Sequence, residues 1–166
     1  DGAEWAGESS RDRASGDEKV MRISDIGLRL IMESEGLRMV AYSDGAGIPT
    51  IGYGHCAGVR LGDRCEAEQA ERWLHDDVSI AEAAVLRVVR VALAQGQFDA
   101  LVDFTFNLGA GALGGSTLLR RLNDNDIPGA ATEFLRWVHD GAGHVEPGLI
   151  VRRSREQTLF TTGDWA

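Results

Sequence analysis

A short glycine-rich segment from Glu35 to His55 carries two acidic side chains and one hydroxyl at close spacing, and it constrains this chain more than any other feature. Asp44 follows Glu35 by nine positions, and Thr50 follows Asp44 by six. Each of the three lies beside a glycine or a predicted turn, where a side chain can reach a cleft. Two carboxyl groups in one cleft can divide acid and base work when their surroundings differ. Cleaving a glycosidic bond requires that division.

A helix is predicted to end at the first of these residues. Ser24 is a good N-cap residue, apolar positions follow at helical spacing, and Gly36 is a natural C-terminal stop. Glu35 would therefore lie in the last turn. The partial negative charge at a helix C-terminus disfavours an ionised carboxylate, and partial burial acts in the same direction. Both effects suit a general acid.

The remaining pattern predicts an α+β fold. Asp44-Gly45 is a hairpin signal, and a small β-lobe is expected from about residue 39 to residue 65. Helical periodicity and helix-start signals then predict a larger helical lobe, with a cleft between the two lobes. The expected helices cover residues 66–91, 97–108, 117–122, 128–137 and 148–161.

The first twenty residues differ in character from the rest. Residues 1–20 are polar, acidic and aperiodic, so we expect a flexible leader or the remnant of an N-terminal export segment. A single domain over residues 21–166 would follow. Because the chain begins with Asp1 rather than Met, a removed signal or membrane-release segment ahead of it stays open.

Charge and hydropathy exclude several classes of protein. The net charge of -9 opposes nonspecific nucleic-acid binding, which needs a basic face. The sequence has no apolar run of the roughly 18 residues that a membrane span needs, so none is predicted. We expect a monomer by default.

Two motifs in the first segment resemble the catalytic signature of the phage-type lysozymes, the endolysins of glycoside hydrolase family 24. They are E-G-L-R, which begins at Glu35, and T-I-G-Y-G-H, which begins at Thr50, with Asp44 between them. The resemblance implies a lysozyme-like fold and, without metal or cofactor, hydrolysis of the β-1,4 bond between N-acetylmuramic acid and N-acetylglucosamine in peptidoglycan.

The resemblance also implies roles for these residues. Glu35 would be the general acid on the glycosidic oxygen. Asp44 would stay ionised, position or activate water and steady the oxocarbenium-like transition state, and Thr50 would orient that water or the substrate. Inversion at the anomeric carbon is implied, which needs carboxyl groups roughly 6.5–9.5 Å apart.

The segment F-N-L-G resembles one that faces the saccharide in this family, which implies that Phe106 and Asn107 bind substrate. An Asn amide offers both a donor and an acceptor to an N-acetyl group, although a helix C-cap is an equally good reading of Asn107. Tyr53 would either stack on sugar or pack in the core. His55 is more simply explained as a structural residue that bonds to backbone or carboxylate than as a catalytic one.

The stretch from Gly148 to Glu156 resembles the C-terminal motif G-L-x-x-R-R-x-x-E of the same family. By position, Arg152 would pair with Glu35, hold it in orientation and oppose its protonation. The alternative is that Arg152 and Arg153 form a solvated face.

Cys56 and Cys65 are the two cysteines of the chain. A disulfide that closes the short loop between them is favoured, provided that the protein works in an oxidising compartment. Free buried thiols are the alternative. A zinc site with His55 and His75 lacks the usual ligand spacing.

Two other functions stay open. A lytic transglycosylase cuts the same bond with a single Glu and leaves an anhydro product, so it would not need Asp44. A non-catalytic peptidoglycan-binding module would need neither carboxylate. For the hydrolase, the expected place of action is the cell wall in the host periplasm.

Overall fold

The computed structural model describes residues 20–166. One helix precedes a β-hairpin, and all the other helices follow it. The predicted leader over residues 1–20 falls almost wholly outside the described residues. In chain order the elements are α1 (Asp25–Glu35), β1 (Arg38–Ser43), β2 (Pro49–Gly52), α2 (Ala67–Val88), α3 (Gln95–Leu108), α4 (Ala110–Gly114), α5 (Thr117–Asn123), α6 (Ile127–Glu133), a 3-10 helix (Phe134–Arg136) and α7 (Pro147–Thr162). The predicted α+β class with a small sheet lobe and a larger helical lobe is confirmed.

Helix α1 begins and ends as its capping residues predict. The Ser24 hydroxyl accepts a hydrogen bond from the Gly27 N–H at 3.3 Å. Gly36 ends the helix with a φ of 70°, and its N–H donates to the Met32 carbonyl. Gly27 lets α1 approach α3 closely, since a Cβ there would lie 2.7 Å from that of Asp99. Glu35 is thereby held at the last turn of a helix that is anchored against the core.

The hairpin that follows α1 turns at Asp44. Strands β1 and β2 are antiparallel, with Tyr42 opposite Thr50 and Ser43 opposite Pro49. The backbone N–H of Asp44 donates to the Ile48 carbonyl at 3.0 Å and so closes the turn. The register therefore places Asp44 at the tip of the sheet lobe and Thr50 just inside it.

The helical lobe is built around α3, which packs against α7, α2 and α1. Its residues Phe98, Leu101 and Phe104 have no exposed surface. The helix expected over residues 97–108 is therefore the buried centre of this lobe. Burying large apolar side chains from all faces of one helix is the main stabilising contribution in a domain of this size.

Two parts of the helical lobe depart most from the prediction. The short helix α4 was not predicted, because a glycine-rich run has low helix propensity; it forms since Leu113 is fully buried in the core. The helix predicted over residues 128–137 stops at Glu133 and continues only as the 3-10 helix. The side chain of Asp126 caps its start by accepting from the Gly129 N–H at 2.9 Å.

Candidate active site

Glu35 is held between a guanidinium and a glycine. Its Oε1 accepts a hydrogen bond from Nη1 of Arg152 at 2.7 Å, and the Glu35 side chain stays 23% exposed. The expected pairing of these two residues is therefore present. On the other side lies Gly54, where an added Cβ would come within 3.3 Å of the Glu35 Oε2. The carboxyl group is oriented but still reachable from solvent.

Substituting Gly54 tests whether the Glu35 carboxyl group tolerates a methyl group beside it. Gly54 has a φ of 90°, and Gly58 has a φ of 73° with nothing within 4 Å of an added Cβ. G54A and G58A should each lose roughly 1–2 kcal/mol of stability from the backbone conformation. Only G54A should also lower lytic activity, because only its methyl group meets Glu35. Urea denaturation and cell-lysis rates check both variants, and equal activity in the two would contradict the argument.

Arg152 is itself fixed from behind by Asp103 on α3. Its Nη2 donates to Asp103 Oδ1 at 2.7 Å, and its Nε donates to Oδ2 at 3.1 Å. Such a two-pronged contact fixes the plane of the guanidinium as well as its position. The Arg152 side chain is 7% exposed and that of Asp103 is fully buried. The alternative of a solvated arginine face is therefore wrong for Arg152, and also for Arg153, which is completely buried.

Asp44 is partly exposed at the tip of the hairpin. Its Oδ1 accepts backbone hydrogen bonds from Ala46 at 2.9 Å and Ile48 at 2.7 Å. The Oδ2 receives no hydrogen bond from the described residues. The turn thus orients the carboxylate through one oxygen and presents the other to solvent.

Thr50 is 5% exposed in β2. Its hydroxyl donates to the Ile48 carbonyl at 3.0 Å, so that oxygen keeps lone pairs with which it can accept a hydrogen bond. Two of the three predicted catalytic residues, Asp44 and Thr50, thus share the hairpin, while Glu35 comes from the helix before it.

The same turn occurs a second time in the chain, as the repeated sequence D-G-A-G makes visible. Asp140 Oδ1 accepts from the N–H groups of Ala142 at 2.9 Å and His144 at 2.8 Å, as Asp44 Oδ1 accepts from its own loop. Gly143 has a φ of 87°, close to the 82° of Gly47 in the hairpin. Bonds from the His144 backbone and its neighbours hold the pKa of Asp140 below its usual value. Asp140 is thus a local structural copy of Asp44, but it lies in the segment before α7 and not in the hairpin that carries Asp44 and Thr50.

A pocket of about 440 Å³ opens beside Glu35. It lies between the residues that follow the hairpin and helices α2, α3 and α4, and its lining includes Glu35, Cys56, Asp77, Ile80, Phe106 and Asn107. Asp44, Thr50 and Tyr53 are not part of this lining. The pocket is mainly apolar with a few polar groups, which is typical of ligand sites.

The residues predicted to bind substrate divide into two groups. Phe106 and Asn107 line the pocket, but the Asn107 Oδ1 already accepts a hydrogen bond from Arg153. The amide N–H groups of Asn107 make no hydrogen bond to the described residues and are left for a ligand. Tyr53 is 9% exposed and packs in the core, as the alternative to sugar stacking predicts, and stacking on sugar stays a prediction. Burial, with a smaller effect of Glu71, raises the pKa of the Tyr53 hydroxyl.

His55 makes contacts with neighbouring side chains, as the interpretation of this residue as structural predicts. Its Nδ1 lies 2.8 Å from an Asp77 carboxylate oxygen, and its ring stacks on Trp73 at 4.8 Å. Asp77 and Trp73 are four residues apart on α2 and therefore share one face of that helix. The contact joins the segment after the hairpin to the helical lobe. Sequence reasoning missed Asp77, although this spacing was a usable signal.

The predicted disulfide is wrong in this structure, because Cys56 and Cys65 are both free thiols. Their surroundings give the reason. Cys56 is exposed and lines the Glu35 pocket, whereas the Cys65 sulfur lies 4.0 Å from the Arg38 carbonyl at the foot of β1. Burial, together with nearby Glu66, raises the pKa of the Cys65 thiol. Within residues 20–166, no group of three or more His, Cys, Asp or Glu side chains is placed to hold a metal ion.

The comparisons with known proteins agree with this architecture. The phage lysozyme family matches residues 32–156. An endolysin of Acyrthosiphon pisum secondary endosymbiont phage 1 is 43% identical over 143 residues, which cover 84% of this chain and 98% of that protein. The solved endolysin from Escherichia coli O157:H7 phage FAHEc1 has a TM-score of 0.83 at 37% identity, covering 88% of this chain and 97% of that one.

A further solved structure, the muramidase domain of SpmX from Asticaccaulis excentricus, has a TM-score of 0.79 at 42% identity. It covers 85% of this chain and 98% of that one. Fold and comparisons together define a lysozyme-type glycoside hydrolase that lyses cell walls. The chain belongs to the phage lysozyme family and is similar throughout its helical and hairpin lobes to phage endolysins. In the part of the chain that the structure describes, no helix is long and apolar enough to cross a membrane.

Proposed function

We propose that this protein is an endolysin muramidase that hydrolyses the β-1,4 bond between N-acetylmuramic acid and N-acetylglucosamine of peptidoglycan. The observation that carries the proposal is the placement of Glu35. Its carboxyl group lies at the mouth of the pocket, oriented by Arg152 and left partly exposed. The similarity to a solved muramidase domain supports the same bond.

Glu35 acts as the general acid in this mechanism. It gives its proton to the glycosidic oxygen as the bond to the anomeric carbon breaks, so that the leaving sugar departs as an alcohol. The free N–H groups of Asn107 and the ring of Phe106 are placed to position an N-acetylated sugar in the adjoining pocket. Arg152 keeps the carboxyl group pointed at the same atom from one turnover to the next.

Asp44 supplies the second carboxylate. One of its oxygens is fixed by the turn, so the other is presented in a constant direction toward water or the developing positive charge. Thr50 orients that water through its hydroxyl oxygen. Attack from the face opposite the leaving group inverts the anomeric carbon, and the water's oxygen ends on that carbon while its proton passes to Asp44.

The repeated turn provides a matched control for this role. D44N and D140N both keep an oxygen that accepts the two backbone N–H bonds, so each turn should be retained. D44N should lower the lysis rate at least about a hundredfold, as loss of a catalytic carboxylate does. D140N should keep nearly the full rate. If the two variants lyse cells equally fast, the carboxylate of Asp44 has no chemical role.

The product of the reaction tests the bond and the outcome together. Purified peptidoglycan is digested and the soluble fragments are analysed by mass spectrometry. Fragments with intact reducing N-acetylmuramic acid ends support the muramidase. Fragments lighter by one water would reveal a lytic transglycosylase, and absence of release by folded protein would favour a binding module. The anomer formed first, followed by proton NMR, tests inversion.

The site of action and assembly follow from the same chemistry. The substrate is the cell wall, so we propose that the enzyme works in the host periplasm as a monomer. Catalysis by two carboxylates requires no metal or cofactor. Gel filtration with light scattering tests the monomer directly.

A further inference from the structure

Behind Glu35, four ionisable side chains meet in the interior between α3 and α7. They are Asp103, Arg152, Arg153 and Glu156, called here the buried ion cluster, and their exposed fractions lie between 0 and 6%. Glu35 joins the cluster from α1 through Arg152. Three carboxyl groups and two guanidiniums thus share one region of low polarity, where an unbalanced charge is strongly destabilising.

The two oxygens of Glu156 have different surroundings. Oε2 accepts a hydrogen bond from Nη1 of Arg153 at 2.9 Å. Oε1 is buried and accepts no hydrogen bond from the described residues. The nearest guanidinium nitrogen, Nε of Arg152, is 3.8 Å away and donates to Asp103 instead. An ionised Glu156 would therefore leave half of a carboxylate buried without a donor, which is a rare and costly arrangement.

Asp103 removes that difficulty if Glu156 carries a proton. The Nε of Arg152 lies 3.1 Å from Asp103 Oδ2 and 3.8 Å from Glu156 Oε1, so the two carboxyl groups are close neighbours. Two buried carboxyl groups so near each other do not both ionise readily, which favours a proton on one of them. Asp103 accepts two hydrogen bonds from the Arg152 guanidinium, which favours its ionised form. The proton then belongs to Glu156, and the O–H donates to Asp103.

In this arrangement Asp103 is the ionised carboxyl group of the buried ion cluster and Glu156 is the neutral one. Burial raises the pKa of Glu156 well above its usual value, and nearby Asp103 adds to the effect. Burial raises the pKa of Asp103, but the Arg152 guanidinium, its hydrogen bonds and nearby Arg153 together outweigh burial and hold that pKa low. The directions of the two pKa shifts therefore agree with the geometry.

We propose that Glu156 is a neutral carboxylic acid that donates a hydrogen bond to Asp103 and thereby acts as a positioning residue for Arg152 and Glu35. The inference about positioning rests on the proposed function, since it matters only if Glu35 is the acid. The contacts that carry this effect meet at Arg152: Glu156 Oε1 and Asp103 both lie against its Nε, Asp103 accepts from two of its nitrogens, and Arg152 donates to Glu35. Glu156 itself does not touch the pocket.

Two substitutions separate the neutral acid from an ionised carboxylate. E156Q is the isostere of the neutral acid, because its carbonyl accepts from Arg153 and its N–H donates to Asp103. E156L keeps a similar volume but supplies neither bond. We expect E156Q to retain kcat within about threefold, while E156L loses roughly tenfold or more in kcat with little change in KM, as misplacement of a catalytic group does.

The pH dependence of stability gives a readout with a definite sign. The groups that face Glu156 are Asp103 from α3 and Arg152 and Arg153 from its own helix, with Glu35 beyond Arg152. A raised native pKa contributes stability that is complete below the unfolded value of about 4.3 and is lost as pH rises toward the native value. The wild type should therefore lose stability relative to E156Q as pH rises above that value. An ionised Glu156 would produce the opposite sign.

Infrared difference spectra give the protonation state without any assay of activity. The wild-type protein at neutral pH should show the carbonyl band of a buried protonated carboxylic acid, and E156Q should lack it. E35Q serves as a control, because its spectrum should keep the band. A band that keeps its full intensity in E156Q, or stability that rises with pH relative to E156Q, would overturn the neutral acid.

Activity then decides the positioning role. A folded E156L with the wild-type kcat would overturn the positioning role. If E156L does not fold, E156Q decides: a kcat as low as that of E35Q would overturn the role. These outcomes differ from failure of the proposed function. In that case E35Q would remain lytic, whereas the infrared and stability results for Glu156 would still stand.

Discussion

E35Q should abolish measurable lysis while leaving the protein folded. The amide has no proton acid enough to give to the glycosidic oxygen, so the rate should fall by roughly 10²–10⁴-fold, the usual contribution of a general acid. Its carbonyl can still accept from Arg152, which stays neutralised by Asp103. Clearing of a permeabilised cell suspension measures the rate, and circular dichroism with thermal unfolding establishes the fold.

E33Q is the matched control for this variant. Glu33 lies on the same helix and is ion-paired to Arg155 at 3.6 Å, but its side chain is 49% exposed and lies outside the Glu35 pocket. E33Q should lyse cells at the wild-type rate. Full activity in a folded E35Q would exclude Glu35 as the acid and would require another proton donor in the pocket.

D103N should produce the largest loss of stability of any single polar substitution discussed for this protein. The substitution leaves the buried Arg152 facing an amide group, and removal of one partner of a buried ion pair destabilises by roughly 3–5 kcal/mol, or about 10 °C in Tm for a domain of this size. The lysis rate should fall as well, since Arg152 then loses the contact that holds its plane. Urea denaturation and cell-lysis rates measure the two effects.

The loss in D103N should depend on pH with a predictable sign. The pKa of Asp103 is held low in the native protein, so its stabilisation is present above the unfolded value of about 3.9 and disappears as pH falls below it. The difference between wild type and D103N should therefore shrink in acid.

D99N is the matched control, because Asp99 is equally buried on α3 but accepts from Ser24 and Gln95, which are neutral donors. Its loss should be only about 1–2 kcal/mol. Equal losses in D99N and D103N would show that the ion pair adds nothing.

Several features of this protein were predictable because they depend on neighbouring residues. The bounds of α1 follow from Ser24 and Gly36, which satisfy the free backbone groups at the two helix ends. The hairpin tip follows from Asp44 and the glycines after it, whose turn closes within a few residues. The motif around Glu35 and Thr50 also predicted the family, which the comparisons confirm.

Other features required contacts between distant segments. Tyr53 points into the core, and the carbonyl of Asn107 is occupied by Arg153, which lies 46 positions later. Neither outcome is encoded in the local pattern around those residues. The two cysteines are close enough in sequence to suggest a disulfide bond. In the folded protein, however, Cys56 lines the Glu35 pocket and Cys65 lies against the start of β1.

The sequence by itself determined the capped first helix, the Asp44 turn, the order of a sheet lobe before a helical lobe, and the catalytic candidates. The tertiary structure alone decided which polar groups are buried and what they face. Asp103 comes from α3 and Glu156 from α7, 53 positions later, and only the packing of the two helices brings both carboxyl groups against the Arg152 guanidinium. The physical reason is that turns and caps are satisfied by adjacent backbone groups, whereas the protonation of a buried side chain is set by every charge that folding brings within a few ångströms.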